Sequence, residues 1–230
     1  MQREVALDVE TTGLSALSGD RMVEIGCVEL INHVATEKNF HIYLNPLRDV
    51  PEEVVKIHGL TAEFLADKPT FPEIADDFLD FIGDADIVIH NASFDMGFIN
   101  NELELANKEL ISMSRVIDTY AIAKRMFPGD SKSIDALCRK FGIDNSARTK
   151  HGALVDAELL ADIYLELIGG HEPTFMMGNL KDMQNGESRA ERPFHAARAF
   201  PVPDDEIKLH EEFLDKITDP IWRKEKEKED

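Results

Sequence analysis

The segment 3–13, REVALDVETTG, constrains the fold most because it puts two acids into an otherwise apolar strand. Positions 5, 7 and 9 are apolar, and on the other side of the strand Asp8 and Glu10 lie two residues apart on one face. An unpaired carboxylate inside a sheet costs several kcal/mol, and two adjacent carboxylates raise each other's pKa unless a cation lies between them. Two interpretations stay open: a divalent metal ion bound by both acids, or an edge strand whose acidic face is solvated.

The charge balance limits how such a strand could meet a polyanion. The 230 residues include 45 acidic and 25 basic side chains, a formal net charge of −20, and residues 1–170 alone carry 30 and 15. Because phosphate contacts need lysine and arginine, this charge argues against tight, autonomous, non-specific binding of nucleic acid. If the chain acts on a polyanion, metal ions must offset the local charge, and we expect a partner to deliver the substrate.

The sequence gives no sign of a membrane or an oxidising compartment. No apolar run approaches the roughly 20 residues of a membrane span, and the N-terminus lacks the basic-then-apolar order of a signal peptide. Cys27 and Cys138 are too few and too far apart for a disulfide framework or a zinc site. We expect two buried thiols in a reducing cytoplasm and no membrane partner.

Hydrophobic periodicity and turn residues predict an α/β domain over residues 1–170. Strands are expected at 22–31 and 36–44, antiparallel to the first, and shorter ones at 85–90 and 115–119. Helices are expected at 51–59, 61–65, 71–82, 96–105, 120–126, 133–141 and 152–168, with residues 91–95 as a loop.

The last quarter of the chain has a different character. Residues 171–203 contain Pro, Gly, Asn, Ser and Arg without periodicity, which predicts a linker. Residues 204–219 return to helical spacing with one apolar stripe, followed by Ile221, Trp222 and a charged end. A short amphipathic helix beyond a linker is typical of a docking element, and packing back onto the domain is the alternative.

Three further residues stand at element ends. Asp95 follows a predicted buried strand, where α/β sheets place functional loops, and a helix-capping acid is the alternative. Asp156 lies in the first turns of the longest predicted helix, where an acid could instead simply favour the positive helix end. His151 precedes that helix, and a solvated loop histidine is the alternative.

Together these residues predict one metal-dependent site. Carboxylate oxygens without thiolates suit Mg²⁺ or Mn²⁺. Two such ions about 3.5–4 Å apart stabilise the attacking and leaving oxygens of phosphoryl transfer. A neutral imidazole can take a proton from the attacking water. The combination predicts hydrolysis of a phosphodiester.

The motifs DVETTG, HNASFD and HGALVD resemble, in order and spacing, the three exonuclease motifs of the DEDD 3′–5′ exonuclease superfamily. The histidine five residues before the last aspartate resembles the arrangement in the subgroup whose general base is a histidine. Residues 126–129, 134–149 and 164–170 resemble the proofreading subunits of bacterial DNA polymerase III within that superfamily. The resemblance implies a ribonuclease H-like α/β fold, with a mixed sheet flanked by helices and a C-terminal linker and short helix.

The resemblance also implies roles for individual residues. Asp8, Glu10 and Asp156 would hold two divalent cations, Mg²⁺ or Mn²⁺. Asp95 would complete the site, partly through water, and His151 would be the general base.

Further positions are implied to contact the substrate. Glu53 and His58 match positions that contact the terminal nucleotide, and residues 57–60 resemble an apolar wedge against its base. Thr11 and Thr12, with the following glycine, would bring backbone close to the 3′ end. The implied substrate-binding residues are Asp8, Glu10, Thr11, Thr12, Glu53, His58 and Asp156.

The implied activity is removal of 3′-terminal nucleotides of DNA as 5′-monophosphates by a proofreading subunit, in the cytoplasm at the nucleoid. Residues 204–230 would bind the polymerase catalytic subunit. A sliding clamp and a small accessory subunit are further implied partners, although residues 171–203 contain no clear clamp-binding peptide. Two alternatives remain: an RNA 3′ exonuclease of RNA maturation, and a non-enzymatic polymerase accessory subunit whose exonuclease fold is structural.

Overall fold

A mixed five-stranded sheet organises most of the chain, in a computed structural model that describes residues 2–146, 148, 150–169 and 202–218. The strands are β1 (Arg3–Thr11), β2 (Met22–Ile31), β3 (Val34–Tyr43), β4 (Asp86–Ile89) and β5 (Val116–Asp118), in the order β3-β2-β1-β4-β5. β1, β2 and β3 are antiparallel, whereas β4 pairs in parallel with β1 and with β5. The predicted mixed sheet is confirmed. β1 lies at its centre, which rules out the edge-strand interpretation.

Seven described helices accompany the sheet: α1 (Glu52–His58), α2 (Ala62–Leu65), α3 (Phe71–Ile82), α4 (Ala92–Leu105), α5 (Thr119–Met126), α6 (Ile134–Phe141) and α7 (Ala153–Leu167). Several begin or end at the residue types that the sequence offers as signals. The Thr61 side chain accepts the Phe64 N–H, the Ser133 side chain accepts the Ala136 N–H, and Gly142, with φ of 72°, ends α6. Six of the seven predicted helices of this part therefore lie within about two residues of their expected bounds.

The two faces of β1 belong to two different hydrophobic clusters. The side chains at its odd-numbered positions pack with residues of α3 and α4, including Phe78 and Phe98. Ala6, on the other side, packs with residues of α5, α6 and α7, including Leu160 and Tyr164. Because β1 is covered on both faces, the carboxylates at its C-terminal end lie at the margin of a buried layer and not on an open surface.

Gly26 on β2 allows the start of α7 to lie directly against the sheet. A Cβ at this position would fall 2.3 Å from the carbonyl carbon of Ala153 and from the nitrogen of Leu154, so no larger residue fits without moving the helix. Gly26 is also the cross-strand partner of Asp8. This close approach brings the first turn of α7, which carries Asp156, over the acidic end of β1.

The start of α4 differs from the prediction. Residues 91–95 were expected to form a loop with the helix from residue 96, but α4 begins at Ala92. Asn91 has φ of 68°, a left-handed conformation that Asn tolerates, and it turns the chain directly from β4 into the helix. Asp95 therefore lies in the first turn of a helix and has a fixed position.

The chain divides into two compact units, residues 1–176 and 177–230. In the second unit, the described residues form one helix, α8 (Asp204–Leu214), with three acids in its first turn. The prediction of a helix to residue 219 was wrong, because residues 215–218 form turns and bends. Pro220 would stop a helix only at about residue 219, and nothing in the structure explains the end at Leu214.

Some predictions fall outside the described residues. They are most of the linker 171–203, the apolar pair Ile221 and Trp222, and the charged end. Cys27 and Cys138 are both buried free thiols, as expected. Among the residues that the structure describes, no helix is both long and apolar enough to cross a membrane.

Candidate active site

Asp8 and Glu10 lie on the face of β1 that is covered by α7, opposite Gly26 and Glu24 of β2. Burial, followed by the charges of neighbouring acids, raises the pKa of Asp8 well above its ordinary value. Burial together with the charges of Asp156 and Glu24 raises the pKa of Glu10 from 4.5 to about 8. Both groups would lose a proton far more readily if a cation were placed among them.

Asp95 enters the same site from α4. Asp95 is 4% exposed, and burial raises its pKa from 3.8 to about 8. Hydrogen bonds from its own backbone and from the backbone of Val9 act in the opposite direction and lower the pKa. The contact with the Val9 backbone ties the first turn of α4 to β1 between the two strand acids. The structure thus brings together residues 8, 10 and 95, as the sequence predicted, from two separate elements.

Asp156 and His151 complete the cluster. One ligand atom from each of Glu10, His151 and Asp156 lies within 4.8 Å of the others. Asp156 is 2% exposed, whereas the imidazole of His151 is half exposed, with its Nδ1 3.5 Å from Asp156 Oδ2. The His151 backbone N–H donates to the Ile57 carbonyl at 3.3 Å, which links the histidine to the helix α1. The predicted base is therefore beside the acids and open to solvent.

Arg148 is a residue of this site that the sequence reasoning missed. Its guanidinium donates from Nε and Nη2 to both carboxylate oxygens of Asp156, the second at 2.7 Å, and from Nη1 to Asp135 at 2.9 Å. Nη2 also lies 2.8 Å from His151 Nδ1. Burial lowers the pKa of Arg148, but hydrogen bonding with Asp156 and the nearby negative charges outweigh this effect and raise the pKa above its usual range. The available signal was an arginine three residues before the predicted base.

Glu24 and His41 form a second contact that the sequence did not reveal. Glu24 is the cross-strand partner of Glu10 and is 3% exposed. Its Oε1 lies 2.7 Å from His41 Nε2 of β3. Glu24 thus lies beside Glu10 on the neighbouring strand, and the charge of Glu24 is one of the causes of the raised pKa of Glu10.

The predicted substrate-contact residues differ in what the structure leaves free. The Thr11 hydroxyl donates to the Gly13 carbonyl at 2.6 Å, and the Thr12 hydroxyl accepts the Arg21 N–H at 3.0 Å. These side chains are therefore used within the turn, and only the backbone remains to approach a ligand.

His58 and Glu53 lie on α1. Burial lowers the pKa of His58, so its ring is neutral, and Nδ1 accepts the Leu60 N–H at 3.0 Å. Its buried Nε2 has no hydrogen-bond partner of normal geometry among the described residues. Glu53 is exposed on the surface of the helix, and Ile57 is 49% exposed. A hydrogen bond with the Thr11 backbone raises the pKa of His58 against the effect of burial, so its Nε2 faces the turn after β1 with at most a poorly aligned partner. The structure does not place Glu53 against the other site residues.

The donor set fits hard divalent cations. Four carboxylates and one imidazole converge, and no thiolate takes part among the described residues. Burial, with nearby negative charges as a further cause, raises the pKa of Asp8, Glu10 and Asp95. Oxygen-rich, acidic clusters of this kind suit Mg²⁺ or Mn²⁺ better than structural zinc. Asp8, Glu10 and Asp156 are placed to hold such ions, with Asp95 beside them.

The fold and the site together define a metal-dependent nuclease, and comparison with known proteins gives the family. The sequence matches the exonuclease family, RNase_T, over residues 5–164. The chain belongs to this family, and it is a 3′–5′ exonuclease. Enzymes of the family depend on metal ions.

The relatives narrow this class to a particular kind of protein. The chain is 48% identical over 221 residues to the DNA polymerase III subunit epsilon of Rickettsia prowazekii, covering 94% of this chain and 96% of that protein. It is 43% identical over 236 residues to the protein of the same name from Escherichia coli, covering 96% and 97%. The predicted resemblance to proofreading polymerase subunits is confirmed.

Solved structures confirm the predicted ribonuclease H-like architecture. An exonuclease X in complex with 5′ overhanging duplex DNA is 25% identical with a TM-score of 0.56, and the match covers 73% of this chain and 91% of that one. The nuclease domain of 3′hExo, a DEDDh family member bound to rAMP, is 17% identical with a TM-score of 0.62, covering 73% and 92%. The second match shows the fold alone.

Proposed function

We propose that this chain is the proofreading subunit of a bacterial replicative DNA polymerase and removes mismatched 3′-terminal nucleotides from DNA as 5′-monophosphates. The observation that carries the proposal is the extent of the similarity to epsilon subunits. The family match ends at residue 164, whereas the relatives align over 94–96% of the chain. A similarity that continues beyond the catalytic domain favours a polymerase subunit over a general exonuclease.

In the proposed mechanism, Asp8, Glu10 and Asp156 would hold two divalent cations, Mg²⁺ or Mn²⁺. These ions would supply Lewis-acid stabilisation of the attacking and leaving oxygens. Asp95, fixed by the Val9 backbone, completes the charge of the site, partly through water. His151 takes a proton from the attacking water at a ring nitrogen, a role that its half-exposed position beside Asp156 permits.

The proposed path of the substrate follows the turn after β1. The backbone of Thr11 and Thr12 approaches the 3′ end, since both hydroxyls are engaged within the protein. The Nε2 of His58, which has no hydrogen bond of normal geometry among the described residues, donates to a polar group of the terminal nucleotide. The exposed Ile57 packs against its base, and Glu53, on the same helix, reaches the nucleotide from the surface.

The proposed division of labour assigns residues 1–170 to the exonuclease, 171–203 to a linker and 204–230 to polymerase binding. Supporting this, α8 exposes Ile207, Leu209 and Phe213, apolar side chains that a partner could cover. A sliding clamp and a small accessory subunit are further proposed partners, and the proposed location is the cytoplasm at the nucleoid.

The first experiment compares a 5′-labelled DNA primer carrying a mismatched 3′ end with an RNA of the same sequence. We expect shortening from the 3′ end that needs Mg²⁺ or Mn²⁺, stops with chelator and is faster on DNA. Faster loss of the RNA would support the RNA-maturation alternative instead, and no cleavage of either would leave a structural accessory.

A second experiment tests the tail. Deletion of residues 204–230 should leave hydrolysis of free single strands unchanged and abolish co-purification with the polymerase catalytic subunit. Retained co-purification would contradict the docking role.

A further inference from the structure

Arg148 occupies the position of a cation within the acidic cluster. Its side chain is 7% exposed and forms a two-point contact with the two carboxylate oxygens of Asp156, which is one of the proposed metal ligands. Such a bidentate arginine–carboxylate pair is among the stronger hydrogen-bonded contacts in proteins. While it persists, the lone pairs of Asp156 that face the guanidinium are not free for a divalent ion.

The same guanidinium also engages the proposed base. Arginine has donors and no acceptor, so the 2.8 Å contact between Nη2 and His151 Nδ1 requires that Nδ1 accept the hydrogen bond. A neutral imidazole whose Nδ1 is an acceptor carries its proton on Nε2. The Nδ1 lone pair that accepts this hydrogen bond is not available to water, and Nη2 also lies 3.5 Å from Nε2, so the guanidinium covers the imidazole as long as Arg148 stays in place.

Asp135 provides a second place for the guanidinium to bind. Its Oδ1 accepts from Arg148 Nη1 at 2.9 Å and from the Asn145 side chain at 3.0 Å. Asp135 is on α6, is 43% exposed, and lies outside the cluster of acids. Arg148 can therefore release Asp156 and keep one carboxylate partner, so its charge is never left unpaired near the domain interior.

We propose that Arg148 is an internal counter-ion that a divalent cation displaces, that Asp135 retains the displaced guanidinium, and that this displacement frees Asp156 and His151 together. The inference deepens the proposed function and rests on the metal site described above. It makes ion loading and release of the base a single event, so that His151 is freed only when the ions displace Arg148.

The test measures Mn²⁺ affinity of the full-length chain without DNA, by titration calorimetry. Arg148→Gln should tighten Mn²⁺ binding about tenfold, because a competing charged hydrogen bond worth about 1.5 kcal/mol is removed. Arg139→Gln removes the same charge from an exposed position of α6 and should change the affinity less than twofold.

A second variant is expected to have the opposite effect. Asp135→Asn removes the alternative partner, so Arg148 should stay on Asp156 and Mn²⁺ binding should weaken several-fold. Asp144→Asn is the matched control, since it is the same change at an exposed residue close by in the chain. In chelator, Arg148→Gln should also lower the melting temperature, and saturating Mn²⁺ should reduce the difference from the unchanged protein.

Several outcomes would overturn the inference. Unchanged or weaker Mn²⁺ binding by Arg148→Gln would do so, as would an equal effect of Arg139→Gln. If the glutamine variant does not fold, Arg148→Lys replaces it, since lysine cannot form the two-point contact and should still tighten binding several-fold. If the unchanged protein binds no Mn²⁺, the proposed metal site fails with the inference. If Asp8→Asn abolishes binding and Arg148→Gln has no effect, only the inference fails.

Discussion

Among the regions of this domain that bury carboxylates, two differ clearly in the cations that accompany them. In the first region, Glu102 of α4 accepts two hydrogen bonds of 2.7 Å from Arg21, and its Oε1 also accepts the Met22 N–H at 3.3 Å. In the second, the carboxylates of Asp8, Glu10 and Asp95 lie near Asp156. The cation beside them, Arg148, forms hydrogen bonds with Asp156, with His151 and with Asp135 of α6.

The difference separates a structural acid from a binding acid. Glu102 is 1% exposed, but its charge is matched locally, and it joins the start of β2 to α4. The acids of the second region outnumber the cations that the described residues place among them. Burial is the main cause of the raised pKa values of Glu10 and Asp95, and like charges add to it. A folded domain retains such an excess where a ligand of opposite charge provides the missing compensation.

The largest expected effect is on activity, from Asp8→Asn. This change removes a proposed metal ligand, and we expect the rate of primer degradation to fall by about 10⁴-fold, equivalent to about 5–6 kcal/mol. The melting temperature in chelator should be unchanged or higher, because one of several mutually repelling charges is lost. Single-turnover kinetics and thermal unfolding measure the two effects. A clear fall in melting temperature would place Asp8 with the structural acids.

Glu102→Gln should reduce stability and leave the exonuclease activity nearly unchanged, the reverse of Asp8→Asn. Breaking its buried pair with Arg21 should lower the free energy of unfolding by about 3 kcal/mol, measured in urea, while the folded protein keeps its exonuclease rate within a few-fold. Glu104→Gln on the exposed side of the same helix is the control and should cost less than about 0.5 kcal/mol. A loss of activity without loss of stability would remove the contrast between the two regions.

Two histidines extend the comparison. His151→Gln should lower the rate about 10²–10³-fold and leave Mn²⁺ affinity nearly unchanged, since a general base contributes to the chemical step. His33, whose Nδ1 lies 2.7 Å from the buried Glu4, is the matched control. His33→Gln should reduce stability and leave the rate unchanged. Unaltered activity of His151→Gln at neutral pH would refute the assignment of the base.

The last prediction concerns the pH dependence of the metal-free protein. In the folded state the pKa values of Glu10 and Asp95 are about 8, above their ordinary values of 4.5 and 3.8. The protonated acids are therefore favoured by folding, and the stability they contribute is complete below about pH 4 and is lost as the pH rises towards 8.

Thermal unfolding in chelator from pH 5.5 to 8.5 tests this sign. The melting temperature should fall by about 2–4 °C for each kcal/mol lost, and a Glu10→Gln, Asp95→Asn double variant should flatten the curve. A melting temperature that rises over this range would contradict the excess of buried negative charge.

Much of the fold could be predicted because its signals are local. Alternation in the first strand identified the acidic face, and Thr61, Ser133 and Gly142 marked helix ends by hydrogen bonds or conformations that involve only their near neighbours. The prediction was wrong at α4, where Asn91 adopts a left-handed conformation that its residue type permits but does not require. It was wrong again at the end of α8, where the helical spacing of the sequence continues beyond Leu214 but the helix does not.

The candidate site follows the same division. The sequence by itself determined which residues supply carboxylates and imidazole, because the order and spacing of the three motifs can be seen along the chain. Only the tertiary structure decided which charges are balanced. Arg21 pairs with a residue 81 positions away, and Arg148 bridges acids on α6 and α7. Electrostatic energy depends on distance through space and on burial, and neither quantity is set by separation along the chain.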